Sequence, residues 1–162
     1  MMAASLDHAD ALAAVNAIAI YRSAVLPASE TFIHDQMLAM RGVRPVLLGL
    51  ARARGGLDVS LLDCVIHDRS RMDKWFSGAR LLMDRPHPGL VATLRNLKPA
   101  LVDAHFGTDA VDAWPSVRTL GLPMLVTLHG YDIHIQPEWW RSGQGGWRRR
   151  FYPDRLISMA RH

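Results

Sequence analysis

The stretch PMLVTLHGYD, Pro123 to Asp132, runs an apolar, β-branched segment into a histidine, a glycine and an acid. Residues 123–130 lack the polar alternation of a half-exposed strand, so both faces are expected to be covered. A strand of that kind belongs to a parallel sheet wrapped by helices. His129 and Gly130 then fall where the strand leaves the sheet. Glycine there permits a sharp turn and the close approach of a ligand.

Working outward, ALVDAHFGTD (100–109) repeats the arrangement, with His105, Gly107 and Asp109 in the places of His129, Gly130 and Asp132. VNAIAIY (15–21) and PVLLGL (45–50) read as further apolar strands, the first leading into the loop RSAVLPAS, and VSLLDCVIHD (59–68) is expected to contain another. Helical patterns alternate with them. In SETFIHDQMLAMRG, Ser29 suits an N-cap, Glu30 the positive helix end and Gly42 the C′ position, with Ile33, Met37 and Met40 as the buried face. Met72–Asp84 and Pro88–Leu97 read as helices, with Pro88 in a first turn. In TDAVDAWPSVRTLG, Pro115 requires a helix that starts near Asp112 or is kinked. The alternation predicts an α/β fold, a Rossmann-like, doubly wound and mostly parallel sheet. Residues 1–14 are expected as a tail or helix and 15–162 as one domain.

In such a sheet both histidine corners lie at the carboxyl edge, where open α/β sheets bind ligands. Imidazole can donate or accept a hydrogen bond at neutral pH, and an aspartate can accept from sugar hydroxyls. The plainer alternative is that the histidines satisfy loop carbonyls and the aspartates cap helices. A third alternative is a flavodoxin-like module that uses the same edge for an anion.

Composition narrows the field. Hydrophobic residues make up 49% and charged residues 21%, the balance of an ordinary globular domain. The single cysteine, Cys64, excludes an internal disulfide and a cysteine-rich zinc site, and fits a reducing compartment. GxSxG, GxxxxGK, GxGxxG and HExxH are absent, and His129 and His134 are not spaced as a helical metal pair. No metal or cofactor is expected. The net charge of +4 is concentrated from Arg141 onward, where six arginines face Asp154 alone, leaving the rest near neutral. Arg148, Arg149 and Arg150 beside Trp147 and Phe151 form a candidate peripheral-membrane contact, with a solvated charged face as the alternative. A nucleic-acid partner is not expected. The early acids Asp7 and Asp10 argue against a signal peptide, so the expected location is cytoplasmic, with peripheral contact at the inner membrane.

SETFIHDQMLAMRG, LVDAHFGTDAV, LGLPMLVTLHGYDI and WWRSGQGGWRRRFYPDRLISMARH together resemble bacterial family 4 glycosyltransferases, especially those that build exopolysaccharides such as colanic acid. The resemblance runs from about Ala17 to His162. It implies a retaining enzyme of the GT-B fold, in which two Rossmann-like domains face a cleft. The N-terminal domain holds the acceptor and the C-terminal one the nucleotide-sugar. On that resemblance His129 and Asp132 are the expected catalytic residues. His129 points toward the donor sugar, and Gly130 and Asp132 shape its turn. Ser29, Glu30, Thr31 and Phe32 border the cleft, His105, Gly107 and Asp109 line the acceptor side, and Tyr131 completes the substrate contacts. The implied partners are a nucleotide-sugar donor and a glycan or polyprenyl-linked acceptor. The glutamate pair that grips the nucleotide-sugar in this family has no counterpart in the chain, since Glu30 and Glu138 are the only glutamates. The chain is therefore expected to be an acceptor-side half, truncated before the donor domain and inactive alone, or a non-catalytic binding domain derived from such an enzyme.

Overall fold

The computed structural model describes residues 16–67, 79–80 and 82–162. The N-terminal tail lies outside them, as does most of the helix expected over Met72–Asp84. The described chain runs β1 (Ala17–Val25), α1 (Thr31–Ala39), β2 (Arg44–Arg52), β3 (Asp63–Ile66), α2 (Pro88–Leu97), β4 (Leu101–His105), α3 (Gly107–Thr119), β5 (Met124–Thr127), α4 (Tyr131–His134), α5 (Pro137–Arg141), a 3-10 turn (Trp147–Arg149) and α6 (Tyr152–Met159). The five strands form one sheet in the order β3-β2-β1-β4-β5. Every pairing is parallel. The fold is Rossmann-like and doubly wound.

The central apolar strands β1 and β2 lack alternation because both faces are covered. At the edge strand β5, by contrast, Leu125 is 53% exposed, so the two-sided cover expected over residues 123–130 is not complete. Ala19, Tyr21, Val46 and Leu48 pack with Leu90 and Leu94 of α2 and Ala110, Ala113 and Val117 of α3. Ile20 and Leu47, one residue out of step, pack on the opposite face with Ile33 and Met37 of α1. Successive side chains in a strand point to opposite faces, so β1 and β2 each feed two cores. Burying one such aliphatic side chain contributes about 1.5–3 kcal/mol.

Several boundaries differ from the sequence reading, each for a physical reason. β1 extends through Arg22–Val25, expected as loop, because Ala24 and Val25 pair with Ala51 and Arg52 and the Arg22 charge meets two carboxylates. Ser29 is not the N-cap of α1. Glu30 holds that position without a side-chain cap bond, its carboxylate being turned to Arg22. α1 ends at Ala39, so Gly42, at φ +72°, serves the turn into β2 and not the C′ position. α3 starts at Gly107, five residues before Asp112, so Pro115 sits within the helix and is buried. Its missing N–H leaves the Val111 carbonyl without that helical donor. β5 ends at Thr127, and Leu128–Gly130 form a turn into α4. The third strand falls within the expected segment, at Asp63–Ile66. Among the described residues no helix is long and apolar enough to cross a membrane.

Candidate functional site

Strand order decides where a ligand can sit. From β1 the chain moves to β2 and β3 on one side, then returns to β4 and β5 on the other. Loops leaving β1 and β4 therefore diverge, opening a crevice at their carboxyl ends. Tyr21 pairs with Ala104, so Arg22 and His105 are the next residues at that point.

The crevice floor is filled by charge. Arg22 donates from Nε to Glu30 Oε2 at 2.9 Å, and a second guanidinium nitrogen bonds Asp109. The Ser23 N–H and hydroxyl also donate to Asp109, at 3.0 and 2.7 Å. Arg22, Glu30 and Asp109 are all buried, Asp109 with 2% exposure. Burial alone would lower the Arg22 pKa, but the Asp109 and Glu30 carboxylates outweigh it and raise it. Burial pushes the Asp109 carboxyl up, against the opposing pull of Arg22 and Ser23. The guanidinium also lies over the Phe106 ring, 4.4 Å from its centroid. Phe106 carries φ +73°, a left-handed conformation that a bulky residue adopts only when its surroundings hold it. That turn allows α3 to begin at once, with Ala110 N–H bonded to the Phe106 carbonyl at 3.0 Å.

Beside this cluster the two histidines meet. His105 pairs with Thr127 across β4 and β5, and two residues further on the chain brings His129 over it. The rings stack at 5.4 Å with an interplanar angle of 16°. Nδ1 of His105 and Nε2 of His129 share a hydrogen bond at 3.1 Å. Phe32 of α1 and Phe106 flank the His129 ring at 4.7 and 4.5 Å. On the far side of His105, Nε2 lies 3.6 Å from Asp103 Oδ2, while Asp103 Oδ1 accepts from the Thr127 hydroxyl at 3.1 Å. His105 is 1% exposed, and its pKa is lowered. Burial is the largest cause and Asp103 opposes it, while His129 and Arg22 add to the lowering.

The sequence-derived residues do not all come together. His129, His105 and Phe32 come together at the carboxyl edge. Glu30 and Asp109 join the buried ion cluster, their carboxylates held by Arg22 and Ser23. Gly107 is buried where a Cβ would stand 2.3 Å from the Tyr152 hydroxyl, so its lack of a side chain serves packing. Asp132 is buried, and Oδ2 accepts from the His129 N–H at 3.0 Å, which braces the turn that carries His129. Gly130 has a negative φ, so no left-handed turn requires it. A Cβ there would lie 3.1 Å from the His134 ring. Tyr131 is exposed and sits edge-on to Trp140 at 5.4 Å. Ser29 and Thr31 are exposed at the start of α1.

Arg22, Ser23, Asp103 and Phe106 were not among the candidates. Asp103 had a readable signal, because it precedes His105 by two residues and a strand places both on one face. Among the described residues no cluster of histidine, cysteine, aspartate and glutamate is placed to hold a metal ion. No family model, no curated protein and no solved structure matches the chain.

Proposed function

We propose that this chain is the acceptor-side domain of a retaining glycosyltransferase that moves a sugar from a nucleotide-sugar to a glycan or polyprenyl-linked acceptor. The observation that carries the reading is the His129 ring. It is held at the carboxyl edge between Phe32 and Phe106, with its Nε2 side against His105. Aromatic faces with one oriented polar group suit a sugar, whose C–H faces are apolar and whose hydroxyls need directed partners. His129 orients and polarises the sugar, a positioning and electrostatic role that needs no protein nucleophile. The proposed location is the cytoplasm, at the face of the inner membrane.

The ion cluster favours this reading over an anion-binding module. The Arg22 cation at the crevice floor is already matched by Glu30 and Asp109, so this trio is formally negative when ionised. A phosphate placed there would meet two carboxylates.

The test joins the chain to the nucleotide-sugar domain of a family 4 glycosyltransferase and supplies polyprenyl-linked acceptors, with products scored by mass. Transfer that requires the present chain supports the reading. Phosphate or nucleotide binding by the chain alone, with neither transfer nor sugar-lipid binding, overturns it.

A further inference from the structure

Among the described residues the enclosed side-chain polar atoms without a hydrogen-bond partner are His105 Nε2 and Asp132 Oδ1. The first has a carboxylate oxygen 3.6 Å away, that of Asp103. That separation is too long for a full hydrogen bond, yet short enough for charge to choose between the two neutral forms of His105. A proton on Nε2 faces the Asp103 carboxylate favourably. A proton on Nδ1 would leave a buried lone pair pointing at that carboxylate, with no water to screen it. His105 therefore carries its hydrogen on Nε2, and its bare Nδ1 must accept the 3.1 Å bond from His129 Nε2. A neutral imidazole has one N–H, so His129 Nδ1 is then bare. No described group bonds that atom, and His129 is only half-buried, which leaves Nδ1 as the end of the line that can meet a ligand.

We propose that Asp103, His105 and His129 form a carboxylate–imidazole–imidazole line that fixes His129 as an outward hydrogen-bond acceptor for a neutral ligand hydroxyl. Asp103 and His105 are positioning residues, acting on the ligand only through His129. Thr127 holds the far end of the line by donating to Asp103. The depressed pKa of His105 keeps the middle ring neutral, which the line requires. A bare Nδ1 between Phe32 and Phe106 accepts a proton donor. It repels an anion, as do the Glu30 and Asp109 carboxylates paired with Arg22 nearby. The ligand class is thus a hydroxyl-bearing, uncharged group, such as a sugar. This assignment of ligand rests on the acceptor-domain reading, whereas the direction of the line does not.

Long-range proton–nitrogen correlation on the full chain, with labelled histidine and at about pH 8, where imidazole is neutral, reads the tautomers directly. A His129→Asn variant assigns the resonance. The expected result is His129 protonated on Nε2, with Nδ1 bare. In Asp103→Asn the amide can donate to His105 Nε2, so the line is expected to reverse in part and the Nδ1–H form of His129 to grow. A wild-type His129 protonated on Nδ1 overturns the proposal, as does an Asp103→Asn chain, folded by circular dichroism, with unchanged tautomers. The wild-type measurement decides the direction even if that variant does not fold. A panel of methyl glycosides is expected to move the Nδ1 resonance and inorganic phosphate to leave it. Response to phosphate alone, or to no glycoside, removes the hydroxyl assignment. A failed transfer assay leaves the tautomer result standing, and a reversed line leaves the acceptor-domain reading standing.

Discussion

Arg22 stands between Glu30 and Asp109, bonded to both, at the point where β1 and β4 part. Its guanidinium is the bridge between the loop after β1 and the start of α3. Removing one partner of a buried ion pair leaves an uncompensated charge and costs about 3–5 kcal/mol. Arg22→Met strands two carboxylates and is expected to reach the upper part of that range. Urea unfolding followed by circular dichroism is the measurement. A loss below about 1 kcal/mol would show that water reaches the cluster and screens it.

Gly107 and Tyr152 make a second pair that can be separated. Gly107→Ala places a methyl 2.3 Å from the Tyr152 hydroxyl, and overpacking of this kind costs roughly 1–3 kcal/mol. Tyr152→Phe removes the hydroxyl and loses only its 3.4 Å bond to the Asp132 carbonyl. The double variant is therefore expected to recover part of the Gly107→Ala loss. A double-mutant cycle reads this as a coupling energy. Additive losses would mean that the methyl meets something other than the hydroxyl.

These two pairs also show how far the sequence was legible. Its apolar runs marked the strands because a doubly covered sheet removes alternation, and Ile20 and Leu47 pack on the face opposite Ala19 and Leu48. The His-Gly corners were visible because glycine and histidine are uncommon ends for a buried strand. Arg22 was hidden, since a charge at the end of an apolar run reads as the first loop residue. Only the tertiary fold shows the two carboxylates that allow it to stay in the strand. The Arg22 partnership of Glu30 and Asp109 was hidden for the same reason: capping and ligand binding are local readings, whereas their partner comes from β1. A start of α3 near Asp112, one of the two alternatives for Pro115, does not hold, and the abrupt start at Gly107 depends on a left-handed Phe106 that its residue type does not announce.

His129→Ala tests the reactive end of the site. His129 is half-buried in a turn, so the fold is expected to survive with little change in unfolding midpoint. In the joined enzyme, transfer is expected to fall by roughly ten- to a thousand-fold, the range for one positioned polar group. Rates of wild-type size would take His129 out of the site.

His105 makes stability depend on pH. Its folded pKa lies below 6.5, so as pH falls through 6.5 the unfolded chain takes up a proton that the folded chain refuses. Stability is complete above that value and is lost as pH falls toward the folded pKa, where the loss levels off. The slope for one proton approaches about 1.4 kcal/mol per pH unit within that window. Denaturant midpoints compared with those of His105→Asn, which cannot titrate there, isolate this histidine from the others. Parallel curves for the two proteins would mean that His105 takes up its proton as readily in the fold.

The arginine-rich turn after α5 carries the last prediction. Trp147 and Phe151 are 53% and 44% exposed, with Arg149 and Arg150 exposed between them. Large aromatic surface beside clustered cations is the pattern of a peripheral membrane contact, in which the rings enter the headgroup region and the charges meet anionic lipid. Each arginine near the surface adds about 1 kcal/mol at modest salt. Changing Arg148, Arg149 and Arg150 together to glutamine is then expected to weaken binding to anionic vesicles on the order of a hundred-fold. Raising the salt should weaken the wild type in the same direction, because screening shortens the reach of the charges. Co-sedimentation with vesicles of zero and of high anionic content is the measurement. Binding that ignores both the lipid charge and the triple change would leave the turn as a solvated surface.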